Sequence, residues 1–308
     1  EKGKNIQEFG SGLKSIGNNL TTKVSLPLIG LGTAASKAAI DFESAFAGVR
    51  KTVDATEEEY AQLSDGIKQM SKEIPASASA ISEITEAAGQ LGIQKEHLLS
   101  FTRVMIDLGE ATNLTADQGA TQLARFANIT QMSQRDFDRL GSTIVALGNN
   151  FATTEAEIVA MGMRLAGAGN QIGLTESEIM GFATALSSVG IEAEAGGSAF
   201  SKLMINMGVA SEVGSNANKV IKSTGYSLRD LQMMASHDSD SFGTLASKLS
   251  LTKTELKKMV DASATLEGFS KVTGMSSEQF KKAFAEDATG AIQLFIEGLK
   301  NADKNGQS

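Results

Sequence analysis

The chain has 308 residues, with 28 Lys and Arg against 36 Asp and Glu, a formal net charge of −8. That balance excludes non-specific nucleic-acid binding, which needs clustered cations to displace counterions. The 41% hydrophobic content excludes wholesale disorder, and the absence of Cys excludes disulfides and thiol chemistry.

The length allows two ordinary domains or one long irregular assembly. With no Trp and few aromatics, the core has to be Leu, Ile, Val, Met and Ala. Thirty-one Gly against two Pro points to much-punctuated helices, because Gly costs about 1 kcal/mol per helical position relative to Ala. The chain opens at Glu1 without Met and closes on "KNGQS"; it reads as a piece of a longer polypeptide.

Taken in chain order, the first apolar residues are Ile6, Phe9, Leu13, Ile16 and Leu20, spaced 3, 4, 3, 4. This heptad seam reads as the end of an upstream coiled-coil-like helix over residues 1–24, or as a single amphipathic helix. The five residues are the candidate surface for self-association. Next comes "VSLPLIGLGTAASKAAI", residues 24–40, which is apolar but short of the about 20 residues a membrane span needs, and carries Pro27 and Lys37. It reads as a protein-facing helix starting near Pro27. We expect partner helices, the stripe Phe42, Phe46, Val49 among them, to cover it in the folded block, and unfolding to open its small-residue faces to a bilayer.

Phe42, Phe46, Val49 and Val53 form one helical stripe; Tyr60, Leu63, Ile67, Met70 and Ile74 form a second, stopped by Pro75. Beyond Pro75 the helices are expected to shorten, and a start signal recurs. An apolar residue, Ser or Thr, two residues, an acid or amide and an apolar residue appear around Ser133…Asp136, Thr175…Glu178, Ser227…Asp230, Thr252…Glu255 and Ser276…Gln279. Each reads as a capping box with a hydrophobic staple. Thr56…Glu59, Thr115…Gln118 and Thr154…Glu157 have the box without the complete staple. The two Asp boxes should be weaker, because Asp is shorter than Glu. Gly190, Gly208, Gly225, Gly268 and Gly274 are placed as left-handed C-caps.

No alternating β-branched run and no Asn-Gly hairpin is present, and the start signals follow no fixed period, so a solenoid is not supported. The fold class is all-α: many short helices in an articulated or compact assembly, with an N-terminal heptad-like helix. The stretch "LTESEIMGFATALSSVGIEAEAGGSAFSKLM", residues 174–204, reads as a helix over 175–188, a polar linker "IEAEAGG", and a second helix carrying Phe200, Leu203, Met204 and Met207. It is a hinge whose small residues allow close approach.

Catalytic patterns are not met. Gly167, Gly169 and Gly173 form GxGxxxG, one residue too long for the dinucleotide fingerprint and with no preceding strand. "GGSAF", residues 196–200, lacks the second glycine of a nucleophile elbow. His97 and His237 stand without HExxH or a third ligand, and Glu192 and Glu194 alternate on a small polar stretch. No catalytic, cofactor-binding or metal-ligating residue is nominated.

Three stretches carry a resemblance: "AAIDFESAFAGVRKTVDAT" (38–56), "LGEATNLTADQGATQLARFANIT" (108–130) and "FATTEAEIVAMGMRLAGAGNQIGLTESEIMGFATALSSVGIEAEAGGSAFSKLM" (151–204). In this order they resemble the core region of phage tail tape measure proteins of the long-tailed type, over residues 25–210. Residues 211–308 read as a C-terminal helical region that matches less distinctly. The resemblance implies a non-enzymatic structural protein that fills the tail tube, sets tail length in assembly and leaves ahead of DNA on infection. It implies tail tube protein, tail-tip proteins and tail assembly chaperones as partners. The implied locations are the virion tail lumen, the host cytoplasm during assembly, and the host envelope, with membrane contact, on ejection. No cofactor is implied, and the peptidoglycan-cleaving activity of some members finds no matching residues here.

The acidity suits a conduit shared with DNA, and the absence of Cys removes cross-links that would obstruct passage. As one continuous helix the chain would reach about 460 Å at about 1.5 Å per residue, but the recurrent caps forbid such a rod. The piece therefore reads as a block attached to a ruler. The alternative is a non-enzymatic helical scaffold or adaptor in a bacterial or prophage-encoded assembly.

Overall fold

The computed structural model describes the backbone of residues 31–304, and the side chains of all of these except residues 31–36, 215 and 302–304. Among the described residues there are 15 α-helices and no strand, as the start signals and missing alternation lead one to expect. The residues divide into two compact units, one of residues up to 166 together with 179–197, the other of 167–178 and residues from 198 onward.

The first unit begins with α1 (Leu31–Thr52), α2 (Glu57–Glu73) and α3 (Ala78–Gln90). Both predicted stripes face inward: Phe42, Phe46, Val49 and Val53 are buried, as are Tyr60, Leu63, Ile67, Met70 and Ile74. Phe46 meets Tyr60 edge-on with ring centroids 6.4 Å apart. The Tyr60 hydroxyl donates to the Val53 carbonyl at 2.5 Å, fixing the α1–α2 turn. Then follow α4 (Leu98–Ala111), α5 (Ala116–Thr130) and α6 (Phe137–Asn150). Helix α4 is central, packed on α2, α3, α5 and α6, with Leu98, Phe101, Met105 and Ile106 buried. Phe101 stacks edge-on against Phe137 at 4.6 Å, and Thr85 and Thr102 satisfy each other's buried hydroxyls at 3.1 Å.

Helices α7 (Glu155–Gln171), α8 (Glu176–Ser188) and α9 (Ala193–Val209) each contribute residues to both units. The second unit continues with a π-helical turn (Ala210–Gly214), α10 (Ser215–Thr224), α11 (Leu228–His237) and α12 (Ser239–Lys248). It closes with α13 (Lys253–Thr273), α14 (Ser277–Glu286) and α15 (Ala288–Lys304). Helix α13 is its axis, contacting the π turn and every helix from α10 to α15. One end packs Leu256 and Val260 with Ile221, Leu231 and Phe242. At the other, Phe269 meets Phe280 at 5.8 Å and Phe295 at 5.1 Å. A helix enclosed by neighbours on several sides carries apolar residues around much of its circumference, and α13 does.

Seven of the eight anticipated boxes close reciprocally, at Thr56, Thr115, Thr154, Thr175, Ser227, Thr252 and Ser276. The exception is Ser133…Asp136. There a 3-10 turn (Gln134–Asp136) intervenes, the Ser133 hydroxyl accepts from the Arg135 N–H at 3.4 Å, and Asp136 pairs with Arg139. The other Asp box is complete, so the shorter acid is no bar in itself.

Four expectations need correction. Gly208 and Gly268 do not end helices; they lie inside α9 and α13, and only Gly190, Gly225 and Gly274 of the five take left-handed backbone, with φ of 78°, 77° and 70°. The apolar pattern simply continues across the other two. Helices beyond Pro75 are not uniformly short, α13 having 21 residues. The polar linker over 191–197 shrinks to a turn before Ala193, where α9 begins. Gly196 is already helical, its N–H donating to the Glu192 carbonyl at 2.9 Å. A Cβ on Gly197 would lie 2.7 Å from Arg164 Cβ, so this glycine serves close helix approach, not a flexible joint. Finally, Lys37, Ala38, Ala39 and Ile40 are exposed rather than covered. They share one continuous helix with Phe42, Phe46 and Val49, and Ile40 stands about 200° around it from Phe42. The stripe therefore cannot fold back over them.

Candidate functional site

The side chains that sequence patterns bring forward do not converge. The seam Ile6, Phe9, Leu13, Ile16 and Leu20 lies outside the described residues, as do residues 24–30. His97 ends a 3-10 turn of the first unit, and His237 ends α11 of the second. Among the described residues no group of three or more His, Cys, Asp or Glu could hold a metal ion. Glu194 pairs with Arg164 at 3.2 Å, which leaves the Glu192–Glu194 alternation without a shared centre. Gly167 and Gly169 are interior to α7, and Gly173 caps its end with φ 81°. Among the described residues no helix is long and apolar enough to cross a membrane.

Among the described residues there are hollows on helix surfaces, of which the two larger described here lie one in each unit. In the first unit, a groove of about 430 Å³ lies between α4 and α6. Its floor is Val104, Leu108, Gly141 and Val145, with Asp107 and Asp138 on the rim. The groove exists because Gly141 brings the helices close; a Cβ there would lie 3.0 Å from Val104 Cγ1. Asp107 shares the Arg103 guanidinium, at 3.4 Å, with Glu73, at 3.0 Å. One helical turn on, burial and the Asp107 carboxylate push Glu110 above the usual carboxylate range. The rim thus carries two carboxylates, Asp138 and an Asp107 that is paired with Arg103.

In the second unit, a cleft of about 400 Å³ is bounded by Ile172, Val209, Phe284 and the π turn. Ser211 lines it, only 6% exposed, with a hydroxyl that has no hydrogen-bond partner. A π turn widens the hydrogen-bonded ring by one residue and so displaces this side chain from the i−4 carbonyl that a dozen helical Ser and Thr use here, as Ser270 does with Leu266. Neither hollow was visible as a motif, because each depends on which helices meet.

The loops of the first unit are also tied by side chains that carry no pattern. Gln134 accepts from the Gln94 N–H at 2.8 Å and donates to the Gly92 carbonyl at 3.1 Å. Asn113 accepts from the Ala156 N–H at 3.1 Å. These bonds hold connections between helices, not a reacting group.

Against this helical background, one comparison decides the assignment. The family model for the phage-related minor tail protein matches residues 64–290, about three-quarters of the chain. The chain belongs to the phage-related minor tail protein family. It is thus a phage tail structural protein, associated with other tail components. The match starts inside α2 and runs to α15, so it takes in residues 211–290, where the sequence resemblance is less distinct. Comparison with curated proteins and with solved structures finds no match.

Proposed function

We propose that this minor tail protein is a segment of a tape measure protein, occupying the lumen of the tail tube, setting tail length during assembly and leaving on infection ahead of the genome. The observation that carries the reading is the family match over residues 64–290, read with the ordered tape-measure-like stretches at 38–56, 108–130 and 151–204. Within it, residues 25–210 are the core-like region and 211–308 a helical continuation. Tail tube protein, tail-tip proteins and assembly chaperones are its partners in this reading, and the host envelope is met on ejection.

The architecture refines the role. The longest described helix, α1, has 22 residues and spans about 33 Å, far short of an extended ruler. The block is a folded station on the tape, and length is measured by sequence outside its two units. In-frame deletions in the phage gene test this by electron microscopy of tails. Removal of sequence outside the block should shorten tails by about 1.5 Å per residue. Unchanged tail length after every such deletion would refute the tape measure role and favour the scaffold or adaptor.

A further inference from the structure

The cleft of the second unit is built from that unit alone, by the end of α7, the end of α9 with the π turn, and α14. Ile172, Val209, Phe284 and Ala285 make it largely apolar, and Gln171, Glu212 and Lys281 add polar groups. Ser211 lines it, 6% exposed, and its hydroxyl meets no donor or acceptor among the described residues. A buried hydroxyl left so costs stability, and a native fold that keeps one calls for a reason. We propose that the cleft recognises a peptide segment of another protein. An aliphatic side chain enters between Ile172, Val209 and Phe284, and the neutral peptide group beside it pairs with Ser211.

The walls are held by their own packing. A Cβ on Gly208 would lie 3.0 Å from Ile172 Cγ2, so this glycine lets the end of α7 close on α9. Phe284 stacks on the fully buried Phe280 with ring centroids 6.1 Å apart. Helix α13 pins the π turn: the Ser263 hydroxyl donates to the Gly214 carbonyl at 3.2 Å, and a Cβ on Gly214 would lie 2.8 Å from the Ala262 carbonyl oxygen. These contacts hold the turn in its π register, which keeps Ser211 away from the Met207 carbonyl four residues back. Such π insertions recur at functional sites, and a site already in shape loses less to ordering when it binds.

The lining chemistry selects the occupant. A serine hydroxyl both donates and accepts, as does the Gln171 carboxamide, and a peptide group with its N–H and C=O matches either. A carboxylate would meet Glu212, and an ammonium would meet Lys281; a neutral group meets no repulsion from either. Val209, 43% exposed, offers apolar surface that an aliphatic side chain would remove from water. The Ser211 oxygen is itself covered, and a step between staggered χ1 positions turns it to the occupant. The site belongs to the second unit and stands whatever part the chain plays in setting tail length.

The probe is N-acetyl-leucine methylamide, an isobutyl side chain between two peptide groups. It is titrated into the full 308-residue chain labelled at the Ile and Val methyls. The Ile172 and Val209 resonances should move and saturate, with a Kd on the order of 1 mM for so small a ligand. The α4–α6 groove is the internal comparison, similar in volume and apolar floor but lined by no buried unpaired hydroxyl; Val104 and Val145 should stay unmoved. Ser211→Ala should weaken binding about fivefold while its urea midpoint rises, so that lost binding is not lost folding. 3-Methyl-1-butanol, which keeps the branched chain without a peptide group, should bind at least about tenfold more weakly. No saturable shift at Ile172 and Val209, equal shifts in the groove, or unchanged affinity in Ser211→Ala would overturn the proposal. Equal affinity for the alcohol would overturn it too, by making the cleft a site for small apolar alcohols.

Discussion

Ser276 caps α14 by accepting from the Gln279 N–H at 3.2 Å, while the Gln279 side chain accepts from the Ser276 N–H at 2.9 Å. The helix so started delivers Phe280 and Phe284 to the aromatic end of the second unit. Ser276→Ala should cost about 1 kcal/mol, read as a lower urea midpoint for the second unit's tertiary signal. Ser211 should behave in the opposite way. Its hydroxyl is buried and unpaired, and a buried donor without a partner carries a desolvation penalty of about 1–3 kcal/mol. Ser211→Ala is therefore expected to raise the urea midpoint, by about 1 kcal/mol of stability; a drop would show that the hydroxyl has a partner. The first of these residues was legible from sequence because a reciprocal box has two members at fixed spacing. Caps with one member, Ser77 on α3, Asp238 on α12 and Asp287 on α15, were not, since a lone Ser or Asp looks the same in any loop. Nor was Ser211, whose isolation depends on the π turn.

At the scale of the element, box acids should make the helix starts sensitive to acid. The backbone and hydroxyl of Thr154 hold Glu157 below the usual carboxylate range, the Ser227 hydroxyl and N–H do so for Asp230, and the Thr252 N–H and hydroxyl for Glu255. At Glu178 burial pushes upward, but the bonds from Thr175 and Thr289 outweigh it and the net shift is downward. A carboxylate lowered in the folded state adds stability that is complete above its unfolded value, about 4.3 for Glu and 3.9 for Asp. That stability is lost as the pH falls through the lower folded value. Hydrogen exchange corrected for intrinsic rates should show the first turns of α7, α8, α11 and α13 opening more between pH 5 and about pH 3. The first turns of α5 and α14, capped by Gln118 and Gln279, should not follow them; equal opening of both sets would contradict this account of the caps.

Glycine offers a second test on elements. A Cβ on Gly298 would run into the Val272 carbonyl where α15 crosses α13, whereas Gly268 on the exposed side of α13 has nothing within 4 Å. Gly298→Ala should destabilise the second unit by about 1–3 kcal/mol, and Gly268→Ala should stabilise it by up to about 1 kcal/mol, both read from thermal midpoints. Helix existence, the two buried stripes and the seven reciprocal capping boxes were plain from periodicity and spacing. The meaning of individual glycines was not, because Gly197 and Gly298 are explained by a neighbour distant in sequence.

For the molecule as a whole, the described residues form two compact helical units. Their chain path was hidden from sequence for a physical reason: α7, α8 and α9 each pass residues to both units, so no change of composition marks a boundary. The family assignment likewise rests on an ordered series of ordinary helical stretches and on no chemically diagnostic residue. The central claim is that this folded block travels inside the tail. Cryo-electron microscopy of purified virions, before and after DNA ejection triggered in vitro, tests it most directly. The account predicts helical density fitting one or both units within the tail tube of full particles, and an empty lumen once the genome has left. Density for the block on the outer surface of the tail, or retained in the tube after ejection, would contradict it.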